Sequence, residues 1–83
     1  MDHSQYIIDK LEEARDERGM PIAELARRTG IARKRLWYIL NGTRKLRADE
    51  FVRIIVVLGT PVTAYVPDEV LETLKRPRNS AGW

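Results

Sequence analysis

Residues 21–42 read PIAELARRTGIARKRLWYILNG. Two short amphipathic runs meet here at a glycine. The first predicts a helix over about Pro21–Thr29, with the proline suited to a first turn and Gly30 as the stop. Ile22, Leu25 and Ala26 form its inward face. The second predicts a helix over Ala32–Asn41 that ends at Asn41-Gly42, a pair that accommodates left-handed backbone. Its buried stripe is Leu36, Ile39 and Leu40, while Arg33, Lys34, Trp37, Tyr38 and Asn41 share the opposite face at about 100° per residue. Arg35 lies on the shoulder between the two faces. Ala23, Leu25 and Ala26 are small or apolar where the two helices must cross.

Helical periodicity continues on both sides, and no stretch shows sustained period-two alternation. A first helix is expected over about Ser4–Arg18, with Ser4 as its cap, Gly19 as its stop, and Ile7, Ile8, Leu11 and Ala14 on one stripe. A fourth runs over Ala48–Leu58 to Gly59. Leu46 and Phe51 have the spacing of a hydrophobic staple, and Asp49 and Glu50 suit the positive end of the helix dipole. A short turn at Pro61–Val66 places Tyr65 and Val66 as a lid on the core. A last helix spans Pro67–Lys75. The expected fold class is therefore all-α, a bundle of four to five helices in one domain over residues 1–75, followed by a flexible tail over 76–83.

Two helices joined through a short glycine turn, here Gly30-Ile31, have the geometry of a helix-turn-helix. The ordered set Ala23-Glu24-Leu25-Ala26, Thr29-Gly30-Ile31, Leu36, Ile39, Asn41-Gly42 and Leu58-Gly59 resembles the Cro/repressor type of this motif, the XRE family. The resemblance covers about Leu11 to Val66. It implies a lambda-repressor-like bundle that reads double-stranded DNA by laying the Ala32–Asn41 helix in a major groove. It further implies that Arg33, Lys34 and Tyr38 occupy base-reading positions, with Trp37 on the same face. Asn41, Thr43 and Arg44 fall where backbone contacts are made, and Lys45 and Arg47 would extend that track.

The charge distribution agrees. The net charge is only +3, but Leu25 to Ala48 contains no acid and carries Arg27, Arg28, Arg33, Lys34, Arg35, Arg44, Lys45 and Arg47. A one-sign block of this length suits an anionic partner; its bland alternative is a solvated basic surface. Arg27 and Arg28 read as solvated. With no cysteine and one histidine, His3, the chain offers neither a thiolate metal site nor a catalytic pair, so no enzyme, cofactor or small-molecule ligand is expected. The longest apolar run, Ile54–Leu58, is far too short to cross a bilayer. The first ten residues show no signal-peptide pattern, and a cytoplasmic protein of a bacterial cell is expected.

Three departures from the family pattern stand out. Pro21, Ala32 and Arg47 occupy helix starts where relatives often carry Ser or Thr, so those caps are missing. Ile22 replaces a glutamine that in relatives often binds phosphate. Trp37 stands where relatives usually have a small residue; it either packs on thymine methyls or a sugar, or folds over Ile22. The fourth helix also carries more apolar surface than one core stripe requires. Val52 and Val56 form a second line, with Val57 a candidate third, and either the last helix or another subunit covers it. Since relatives mostly bind near-palindromic operators as dimers, the resemblance implies a homodimer interface of Val52, Val56, Val70, Leu71 and Leu74. The rival reading is an interaction module of the antitoxin kind on the same fold.

Overall fold

A computed structural model describes residues 3–76. Five α-helices follow in order: α1 (Ser4–Glu17), α2 (Ile22–Thr29), α3 (Arg33–Leu40), α4 (Ala48–Leu58) and α5 (Asp68–Lys75). A single 3-10 turn, Val62–Tyr65, links α4 to α5. All regular structure among the described residues is helical.

The core is one cluster drawn from every element except α5. Leu11, Leu25, Leu36, Ile39, Ile54 and Leu58 are fully enclosed. α2 packs on both α3 and α4, and α1 lies across α3, α4 and the 3-10 turn. Tyr65 closes the open end: it is buried, meets Phe51 edge-on at 5.4 Å, and shares a hydrogen bond with the Thr60 hydroxyl. Leu46 and Phe51 both pack against this cluster, as the staple spacing required.

Several boundaries shift by one residue. Ser4 is the first helical residue rather than the cap, with His3 before it, and α1 ends at Glu17 with Arg18 as its C-cap. Pro21 and Pro67 precede their helices with extended ψ values of 153° and 146°. Each nonetheless accepts the first helical hydrogen bond, Pro21 from Leu25 and Pro67 from Leu71. Proline fixes φ and lacks an N–H, so it serves the half-in position as well as the first turn. At the end of α3, Asn41 stays right-handed and only Gly42, at φ +82°, turns over.

Some burial assignments also change. Ala23 is exposed, so the buried face of α2 is Leu25, Ala26 and Thr29, with Ile22 packed against the core beside them. Met20, in the α1–α2 turn, is buried in the core. Val57 packs against the core and leaves the outer line of α4 to Val52 and Val56. α5 contributes no buried residue. Of the tail expected over 76–83, residues 77–83 lie outside the described residues; Arg76 is exposed.

The start of α3 has a specific deficit. Ala32 is exposed, has φ −55° and ψ 134°, and provides no side-chain cap. A serine hydroxyl there would accept one of the free amides of the first turn. Ala32→Ser is expected to raise the melting temperature by about 2–10 °C, read by circular dichroism, as one recovered cap does in a domain of this size.

Candidate nucleic-acid interface

α3 is anchored by its inner face and presents the other outward. Leu36, Ile39 and Leu40 are buried, whereas Arg33, Lys34, Trp37 and Asn41 are exposed and Tyr38 is half-buried. Thr43, Arg44, Lys45 and Arg47 continue the exposed surface along the α3–α4 loop. Ion pairing divides the cations into two groups. Arg28 is paired with Glu24, Arg35 with Glu50, and both Arg47 and Arg53 with Asp49. Arg33, Lys34, Arg44 and Lys45 have no carboxylate partner among the described residues. Arg18, Arg27, Lys75 and Arg76 are likewise without an ion pair among the described residues, but Arg33, Lys34, Arg44 and Lys45 are the four that fall together on α3 and the loop after it.

That loop is held by a single acceptor. The Tyr38 carbonyl receives the Thr43 amide at 3.0 Å, the Thr43 hydroxyl at 3.1 Å and the Arg44 amide at 3.3 Å. The Arg44 guanidinium lies 5.4 Å from the Tyr38 ring centre, within cation–π range. Trp37 meets the same ring edge-on at 5.2 Å. Beneath Trp37 is a small cleft of about 50 Å³ lined also by Glu12, Ile22, Leu40 and Asn41. Trp37 and Ile22 thus do share a cleft, yet the indole remains 49% exposed.

The position of α3 depends on two arginines. Arg35 reaches across to α4, donating from Nε to Glu50 Oε2 at 2.6 Å and from Nη2 to Oε1 at 2.7 Å. Nη2 also donates to the Lys45 carbonyl at 3.2 Å. Glu50 is only 3% exposed, and its Oε1 accepts the Arg47 backbone amide at 3.0 Å, forming half of a capping box. Arginine has no acceptor to complete the other half. One turn further along α4, Arg53 donates to the Thr29 carbonyl at 2.9 Å, which satisfies the C-terminus of α2 beside left-handed Gly30. The motif's two helices are therefore each tied to α4 by one guanidinium.

These contacts set the titration of the acids. The Arg35 hydrogen bonds, opposed by burial and aided by the Arg47 amide, hold the Glu50 carboxyl down to about 2. At Asp49, partial desolvation pushes upward, but hydrogen bonds and charge from Arg47 and Arg53 outweigh it and its pKa falls below the usual carboxylate value. Glu50, Arg35 and Arg53 were absent from the sequence-derived site. Their only signal was the position of Arg35 on the helix shoulder.

A helix-turn-helix domain model matches residues 9–64, a span that holds α2, the Gly30-Ile31 turn, α3 and the two arginine ties. The chain belongs to the helix-turn-helix family. None of the curated proteins or solved structures compared with it matches. As a helix-turn-helix DNA-binding protein it carries α3 as the second helix of the motif. No group of three or more His, Asp or Glu side chains suited to a metal occurs among the described residues, and none of their helices is long and apolar enough to cross a membrane.

The apolar line on α4 lies apart from this charged surface. Val52 is 54% exposed and Val56 72%, so α5 does not cover them. On α5 itself Val70 and Leu71 are half-buried, and Leu74 is 69% exposed.

The Arg35–Glu50 pair has a pH signature. Because the folded pKa of Glu50 lies below its unfolded value, its contribution is complete above about pH 4.5 and fades as pH falls toward 2. At neutral pH that contribution is about 2–3 kcal/mol. Urea titrations of the wild type and Glu50→Gln should differ by about this amount at pH 7 and converge toward pH 2. A difference that does not change with pH would show that the pair contributes no net stability.

Proposed function

We propose that the protein is a transcriptional regulator of the Cro/repressor type that occupies a near-palindromic operator as a homodimer. The observation that supports this most directly is the segregation of charge. Four cations without carboxylate partners, Arg33, Lys34, Arg44 and Lys45, share with an aromatic pair the one helix that the motif directs into a major groove and the loop after it. In this reading Arg33, Lys34, Trp37 and Tyr38 meet base edges. Arginine and lysine donate to guanine O6 and N7, and each good pair discriminates by about 1–3 kcal/mol. Asn41, Thr43, Arg44 and Lys45 meet phosphates from the rigid loop. Arg47 joins them only by sharing or leaving Asp49, so it is the weakest member of the set.

The dimer rests on the uncovered apolar line. Val52, Val56 and the Val70, Leu71 and Leu74 stripe pack against a second copy, setting two α3 helices about 34 Å apart, one turn of DNA. Such a dimer over a promoter excludes polymerase, which makes the protein a repressor of the phage type. An antitoxin-like interaction module would use the same apolar line, but gives no role to the unpaired cations.

Selection from a random DNA pool should recover a two-fold motif with that spacing. Affinity for it should fall with log salt at a slope of about −0.9 per neutralised phosphate. Arg33→Ala should relax preference at one base position, while Arg44→Ala weakens all sequences alike. Recovery of no motif would favour the protein-partner reading. Separately, Val52→Asp should lower the sedimentation mass from two chains to one and weaken operator binding while the chain stays helical by circular dichroism; an unaltered mass and affinity would rule out this interface.

A further inference from the structure

Trp37 is the least polar group on the outward face of α3, and it is the one whose exposure needs a reason. Its ring meets Tyr38 edge-on at 5.2 Å and borders the small cleft lined also by Ile22 and Leu40. Tyr38 is held in turn by Arg44, and its carbonyl anchors the loop. The indole thus stands with about half its surface open on the helix face that also carries Lys34 and Asn41. An indole offers one N–H donor and no acceptor, so most of what it presents is apolar surface. Among the groups displayed in a major groove, the thymine C5 methyl is the apolar one; the others donate or accept hydrogen bonds.

We propose that Trp37 is a specificity determinant that recognises the C5 methyl of a pyrimidine, so that the protein distinguishes thymine from uracil at one position of each half-site. This rests on the DNA-reading role of α3 given above and adds the group that is read. Arg33 and Lys34 select by donating to acceptors on neighbouring bases. Trp37 selects by contact area, which vanishes when a single methyl is removed.

The test replaces each thymine of the recovered operator, one symmetric pair at a time, by deoxyuridine, a change that deletes the methyl and keeps the pairing. One position per half-site should lose affinity about fourfold per methyl, the equivalent of about 0.8 kcal/mol for one buried carbon. Substitution elsewhere should have little effect. Trp37→Ala should bind thymine and uracil operators equally, whereas Arg33→Ala should keep the difference; Trp37→Leu, which retains apolar contact, should keep part of it. The exposed site makes all three variants expected to fold, which a melting curve checks. The proposal is overturned if uracil is tolerated at every position, if the difference survives in Trp37→Ala, or if the motif has no thymine within reach of α3. An indole packed on deoxyribose would give that first result, with Trp37→Ala weakening all sequences equally. Recovery of no motif at all would instead remove the DNA reading itself, and this inference with it.

Discussion

The buried carboxylate of Glu50 is the point on which the arrangement turns. A charge enclosed to this degree is tolerable only when it is paired and its remaining lone pairs are used. Here the bidentate guanidinium of Arg35 and the Arg47 amide do both. The pair joins the first turn of α3 to the first turn of α4 and, through the Lys45 carbonyl, to the loop between them. Apolar packing of Leu36, Ile39 and Leu40 fixes which side of α3 is inward, but it tolerates sliding and small rotations. A bidentate ion pair does not, because two parallel hydrogen bonds define direction as well as distance. Arg53 ties α2 to the neighbouring turn of α4 by a single hydrogen bond to the Thr29 carbonyl, a looser constraint. α4 thus serves as the reference body for both helices of the motif, while its outer line stays apolar and open.

Much of this was legible in the sequence, for a definite reason. Leu36, Ile39 and Leu40 recur at helical spacing, and the glycines at 30, 42 and 59 sit where chain reversal demands left-handed backbone. Periodicity and punctuation are local signals, and they gave the helices and the outward face of α3. The missing parts are nonlocal. A carboxylate in the first turn of a helix looks the same in sequence whether it is solvated or buried, so Glu50 passed for a dipole partner. Arg53 serves a carbonyl twenty-four residues earlier in the chain, and no spacing rule connects them. Met20 lies between a glycine and a proline, outside any repeating pattern, yet is buried. Ala23 shows the converse error, since a small residue at a suitable interval need not lie at the crossing.

The division of arginines follows from the same geometry. Four are held in ion pairs that organise α2, the start of α4 and the link to α3. Charge that organises the fold is thereby separated from charge left at the surface. Composition alone merges the two groups, because a block of arginines reads as one basic patch until each partner is located.

The absent cap at Ala32 has a wider consequence. α3 begins with Arg33, Lys34 and Arg35 at the positive end of its own dipole, and only Arg35 is neutralised by a carboxylate. Free amides and two unopposed cations thus crowd the same helix start, an arrangement that costs stability in isolation. Anything anionic that settles there relieves the repulsion and stabilises the folded chain by the free energy of its binding. An anion held at this helix start would therefore add to the thermal stability of the folded chain, and more so the more tightly it is held.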